Sequence, residues 1–175
     1  MNETVKTLIS RRSCKSYIKG KRVPDEILDE IMLCGTYAPT GKGMQSPLIV
    51  LVNDDETVEK LSKLNASILG ADIDPFYGAP TVIVVFSDSN YFTHLEDGSL
   101  VLGNMLNAAH ALGVGACWIH RAREMFKTEE GKELMKKWGI PENYVGIGNC
   151  IVGYPTGEWR PSKPRKPDYI RKNEI

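Results

Sequence analysis

Apolar runs short enough to be strands alternate along this chain with stretches of helical period, which predicts an α/β or α+β sandwich with one sheet between helices. Three observations carry that expectation. Residues 48–52 (Leu-Ile-Val-Leu-Val), 81–86 and 144–152 are near-continuous apolar runs of strand length, the pattern of strands covered on both faces. The intervening stretches repeat apolar residues at i, i+3 and i+4. Glycine and proline fall at the junctions between the two kinds of stretch. At 175 residues the chain is long enough to bury a sizeable core as one domain, with residues 153–175 as an extended arm.

Taken in order, Val5, Leu8 and Ile9 give residues 3–10 the stripe of a short amphipathic helix. Pro24 sits at the favoured first position of a second helix, with Asp25 and Glu26 at its positive dipole end. Ile27, Leu28, Ile31 and Met32 are its inward face, and Gly35 is expected to stop it as a C′ residue. Residues 48–52 read as a central strand. Thr57 is the expected cap of a helix carrying Val58, Leu61, Leu64 and Ile68. Residues 70–80 hold two prolines, two glycines and two aspartates and read as an irregular loop. After the strand at 81–86, the longest helix spans 94–112, with Leu102, Met105, Leu106, Ala109 and Leu112 inward. Gly113 and Gly115 end it before a strand at 116–119. Residues 128–138 are helical, stopped by Gly139 and Pro141. The last strand, 144–152, carries Gly146 and Gly148, which mark a bulge or a close backbone approach. Pro161, Pro164 and Pro167 keep the tail extended, so it must lean on something else.

The charge balance is 22 basic against 22 acidic residues. A net charge of zero argues against non-specific binding to nucleic acid or an anionic membrane surface. The N-terminus lacks an apolar signal core and no run reaches transmembrane length, so a cytoplasmic protein is expected. The cysteines, Cys14, Cys34, Cys117 and Cys150, show no paired spacing, which fits neither a zinc site nor a disulfide framework. His94, His110 and His120 lie in different segments, and no metal site is expected.

Two basic clusters frame the chain. Arg11-Arg12-Ser13-Cys14-Lys15 packs three cations and a hydroxyl into five residues, and Lys163-Pro164-Arg165-Lys166 lies in the tail. Guanidinium forks and ammonium donors suit a doubly charged phosphate, although such a cluster alone also describes a solvated helix end. Between them, residues 38–47 (Ala-Pro-Thr-Gly-Lys-Gly-Met-Gln-Ser-Pro) form a loop of small and amide-bearing residues.

These blocks resemble, in order and from about residue 11 to 166, the nitroreductase family of flavin enzymes. Arg11-Arg12-Ser13 with Lys15 and Tyr17 resembles the family's opening signature. Ala38-Pro39-Thr40 with Gln45 and Pro47 resembles its loop over the flavin ring. Residues 108–118 and Gly153-Tyr154-Pro155 through Arg165 match later blocks. The resemblance implies an α+β three-layer sandwich with a mixed, mainly antiparallel sheet, a long central helix, and homodimers that exchange C-terminal arms. It implies flavin mononucleotide (FMN) as cofactor in clefts between the two copies. Arg11, Arg12 and Ser13 would then meet the phosphate and ribityl end, and Lys15 the N1 and O2 edge of the ring. Gly43 and Gln45 would lie in the ring loop, with Gln45 bonding the ribityl or pyrimidine edge. Trp118, Ile119 and His120 would bring backbone toward N5 and O4. Lys163 and Arg165 match a late phosphate-binding pair.

The implied activity is transfer of hydride from NAD(P)H through flavin N5 to an electron-poor acceptor, a nitroaromatic or quinone, in a two-step exchange. The flavin carries the chemistry, so no side chain is assigned as catalytic and His120 is not called an acid. Rival readings are a specialised branch (reductive dehalogenation or flavin breakdown) and a non-catalytic flavin carrier or redox sensor using Cys14. Two departures matter: many members have asparagine where this chain has Gly43, and tryptophan where it has Pro47.

Overall fold

A computed structural model describes residues 1–159 and 161–173; Arg160 and the last two positions of the expected arm lie outside the described residues. Among the described residues the chain forms α1 (Glu3–Ser10), α2 (Asp25–Thr36), a 3-10 turn (Gly41–Gly43), β1 (Pro47–Val52), α3 (Asp55–Leu69), β2 (Thr81–Asp88), α4 (His94–Ala111), β3 (Gly115–Ile119), α5 (Ala122–Met125), α6 (Glu129–Lys137) and β4 (Tyr144–Gly153). The strands make one antiparallel sheet in the order β1-β2-β4-β3. The sheet's parallel element is a single bridge from Ser13 to Ala116 on the outer side of β3.

Strand residues alternate between two cores, as the pleat requires. Val82, Val84, Phe86, Cys117, Ile119 and Ile151 face α3, α5 and α6, where Leu61, Leu64, Met125 and Leu134 are buried. Ile83, Val85, Ala116, Cys150 and Val152 face α2 and α4, where Leu28, Ile31, Leu102, Met105 and Ala109 are buried. This is the three-layer α+β sandwich. The glycines of β4 mark a bulge, as expected: Val85 pairs with Gly148 but Phe86 with Gly146, so Ile147 is the extra residue.

Four local expectations are corrected. The run 48–52 is an edge strand, not a central one; its residues are apolar because both helical layers overhang it, with Val50 and Val52 on one core and Ile49 and Leu51 on the other. Gly35 does not stop α2 but lies inside it, and a β-carbon there would sit 2.8 Å from Met105 Cγ, so it is the point where α2 meets α4. Asp54, not Thr57, caps α3, accepting the Thr57 N–H at 2.8 Å, and Ile68 is exposed. Pro24 sits one place earlier than expected, as the N-cap.

The stripe of α1 is the largest surprise. No residue of α1 is buried: Leu8 is 53% exposed and Ile9 57%. Tyr37 after α2 and Phe92 before α4 are more exposed still, at 80% and 82%.

Candidate functional site

α1 ends where the basic cluster begins. The Arg11 N–H donates to Thr7 O, and Arg12 Nη1 curls back to Ile9 O (2.7 Å) and Arg11 O (2.6 Å). Arg12 therefore caps the exposed carbonyls of α1, and its Nε is buried without a partner. The chain then runs along the outer edge of β3. Cys14 N–H donates to Ala116 O at 2.9 Å, Ile18 N–H to Tyr154 O, and Thr156 N–H to Ser16 O. Cys14 and Tyr17 are both buried in the core on the α3 side of the sheet, while Ser13 and Lys15 are exposed.

Among the described residues neither Arg11 nor Lys15 has a carboxylate partner; Lys15 Nζ lies over the Tyr77 ring, 5.4 Å from its centre. Their field is felt by neighbours. Burial pushes the Cys117 thiol up, while the Ser13 hydroxyl and the Lys15 and Arg11 cations offset part of that rise. His110, bonded through Nε2 to Ser10 Oγ at 2.8 Å, is held below the usual imidazole range by burial and then by Arg11 and Arg12. Its Nδ1 is buried and unpartnered, and its ring meets Trp159 edge-on.

β3 delivers Trp118, Ile119 and His120 to this same edge. The Trp118 indole covers Gly148, where a β-carbon would sit 2.4 Å from Nε1. Ile119 points into the core and the His120 side chain is exposed. Arg121 follows in the left-handed region at φ 75°. Arg11, Ser13 and Lys15 are thus brought together with Trp118, Ile119 and His120.

Gly43 and Gln45 are not. Their loop enters β1 at the opposite edge of the sheet, three strand spacings or about 14 Å away, with α4 packed across β2 and β4 between. This loop is built around a buried carboxylate. Asp97 of α4 accepts the Gly41 N–H at Oδ1 (2.9 Å), and Ser46 Oγ (3.2 Å) and Thr93 Oγ1 (3.1 Å) at Oδ2. Gly41 has no room for a side chain against Thr93, whereas Gly43 faces open space at φ +66°. Gln45, also left-handed at φ 50°, leaves its side chain exposed. Lys163 and Arg165 are exposed in the arm, with no hydrogen bond or ion pair among the described residues tying them to residues 11–15.

Asp97, Asn65 and Asn149 were not singled out from the sequence. Asn149 was the most visible, a lone polar residue in an apolar strand; Asn65 and Asp97 look like surface positions until the helix phase is known. Among the described residues no group of three His, Cys, Asp or Glu could hold a metal ion, and no helix is long and apolar enough to cross a membrane.

The comparison with known proteins decides the family. Residues 8–73 and 71–154 match the family model described as "Nitroreductase family". The chain belongs to the nitroreductase family. Its relatives include a putative NADH dehydrogenase/NAD(P)H nitroreductase of Archaeoglobus fulgidus, 30% identical over 164 residues that cover 90% of this chain and 88% of that one. An FMN reductase [NAD(P)H] of Bacillus subtilis is 25% identical over 206 residues, 100% of this chain and 78% of the relative. Among solved structures, a Bacteroides fragilis nitroreductase with bound FMN is 26% identical and superimposes with a TM-score of 0.90, covering 99% of this chain and all of that one.

The residues present have the chemistry to fit FMN. Among the described residues the β3 edge offers two cations without carboxylate partners, a buried guanidinium nitrogen without a partner, and backbone at a strand end. The redox-sensor reading loses its footing, because Cys14 is buried with its Sγ on Ser16 O at 3.3 Å; burial makes a thiol inert.

Proposed function

We propose that the protein is an FMN-dependent NAD(P)H oxidoreductase that reduces electron-poor acceptors such as nitroaromatics or quinones. One observation carries the reading: Arg11 and Lys15, without carboxylate partners among the described residues, lie along the outer edge of β3. Bound FMN supplies hydride acceptance and return, in alternate visits of donor and acceptor to one cleft. The chain's own residues do the rest. Arg11 and the Ser13 hydroxyl bind the phosphate and ribityl end, where charge-assisted hydrogen bonds are strong. Lys15 sits at the pyrimidine edge, where a fixed positive charge favours the electron-rich, reduced ring. Trp118, Ile119 and His120 border the same ring, and no side chain is needed as an acid or base.

The working unit is a homodimer. The loop of Gly43 and Gln45 and the basic edge of β3 lie on opposite sides of the sheet in one chain, so a second copy brings the loop to the first copy's cations. The uncovered apolar side chains of α1, with Leu33, Tyr37 and Phe92, supply a surface for that association. The arm reaches over the partner and carries Lys163 and Arg165 to a phosphate. With Gly43 bare and Pro47 in place of an indole, the outer face of the ring is open, and varied flat acceptors are accepted.

The absorbance spectrum of the purified protein tests the cofactor directly: bands near ~370 and ~450 nm report bound oxidised flavin. Steady bleaching by NADH or NADPH and recovery on adding a quinone or nitroaromatic test the activity. A colourless protein that takes up no added FMN overturns the reading.

A further inference from the structure

We propose that Asn65 is a positioning residue for this reaction, locking the His120–Arg121 peptide so that its N–H is presented to the flavin. The inference rests on the reading above, that the end of β3 borders the ring. Asn65 belongs to α3, on the far side of the corner, and is completely buried. Its Nδ2 donates to His120 O at 2.8 Å, and its Oδ1 accepts Arg121 Nε at 3.0 Å. One amide thus grips both residues of the corner, which only a side chain with a donor and an acceptor can do. A second buried asparagine works alongside. Asn149 Nδ2 reaches Ile119 O at 3.4 Å, and both amides rest on Met125 Sδ, at 3.1 Å from Asn65 and 3.5 Å from Asn149.

The consequence follows from peptide geometry. Among the described residues every peptide bond is trans, and in a planar trans peptide the C=O and N–H point in opposite directions. With His120 O drawn inward to Asn65, the Arg121 N–H points away from α3. It has no acceptor among the described residues. The corner is also held in a conformation it would not choose: Arg121 lies at φ 75°, which a residue with a β-carbon adopts rarely. Without the grip of Asn65 that peptide relaxes and the N–H turns aside. A buried polar residue, a strained non-glycine backbone and a free donor at the strand end that borders the proposed cleft are explained together by an acceptor atom of the ring on that N–H.

Asn65→Asp separates the two halves of the grip. A carboxylate still accepts Arg121 Nε but cannot donate to His120 O. FMN titrated into the flavin-free variant is expected to bind about tenfold more weakly than to the natural protein, the equivalent of one lost hydrogen bond. The midpoint potential of the bound flavin is expected to fall, because a donor aimed at the ring holds the electron-rich form better; Asn65→Leu, which adds no charge, is expected to lower it too, whereas a merely structural asparagine would leave that variant's potential unchanged. A second measurement uses the natural protein, where amide hydrogen exchange at Arg121 is expected to slow at least about tenfold on saturation with FMN. If Asn65→Asp does not fold, that measurement decides alone. Unchanged affinity and potential in the variant, or unchanged exchange at Arg121 in a natural protein that does bind FMN, overturns the inference. A natural protein that binds no FMN overturns the underlying reading as well.

Discussion

The two edges of the sheet are built on opposite principles. Along β3 the chain from Arg11 to Lys15 sets out cations that meet no carboxylate among the described residues. Before β1 the loop of residues 38–47 presents no such cluster, and its shape is fixed from behind by the buried carboxylate of Asp97. One edge is an electrostatic half-site whose charge awaits a ligand; the other is a shaped half-site whose charge is already spent on its own backbone. Each is incomplete alone. The proposed cleft, needing both attraction and fit, would draw them from two chains.

That contrast can be broken most severely on the charged side. Arg11→Ala with Arg165→Ala removes two charge-assisted contacts worth roughly 1.5–3 kcal/mol each, so the double variant is expected to purify nearly free of flavin while keeping its fold. Full occupancy, measured as flavin per chain, would remove the phosphate assignment. Next in size is removal of the arm. Because Tyr154 and Thr156 hold the strand of Ser16 and Ile18, the informative truncation is after Trp159, which spares those bonds. Dimer content and flavin occupancy are both expected to drop, read by light scattering and absorbance; a truncated protein still dimeric and yellow excludes the arm's role.

The shaped side is expected to respond more gently. Asp97→Asn leaves side chains of the same size but weakens three hydrogen bonds to a buried charge, at a cost of about 1–3 kcal/mol. Thermal unfolding should shift downward, with FMN binding weakened less than by the arginine pair. Equal losses on both measures would erase the distinction between the edges. The smallest effect concerns His110 beside the cations. Its folded pKa lies below its unfolded value, so the unfolded chain binds the proton more readily. Stability is therefore full above about pH 6.5 and falls as the pH drops below it. Denaturant midpoints between pH 5 and 8 should show that slope, and His110→Gln should flatten it.

Much of this was legible in advance, for reasons that differ by element. α4, β2 and β4 announce themselves because long periodic or continuously apolar stretches leave few alternatives, and Gly146 and Gly148 located the bulge. β1 was misplaced because an apolar run reports that both faces are covered, not how many strands lie on either side. α5 has four residues, too few to show a period. Gly35 was read as a stop because glycine serves ends and close packing alike, and only the position of Met105 separates the two. Within the proposed site, the sequence singled out the basic cluster, where charge is concentrated in neighbouring residues. It missed Asn65, Asn149 and Asp97, whose main-chain partners lie 30 to 56 positions away.

The rung between residues 13–17 and β3 has a further consequence, for solubility. An open strand edge invites another chain to add to the sheet, and proteins that stay dispersed close or blunt their edges. Here Ser13 and Cys14 occupy the outer side of Gly115–Ile119. The segment proposed to greet a phosphate is therefore also the guard that keeps the sheet from growing at its β3 edge, and damage that frees it would expose a ready template for aggregation.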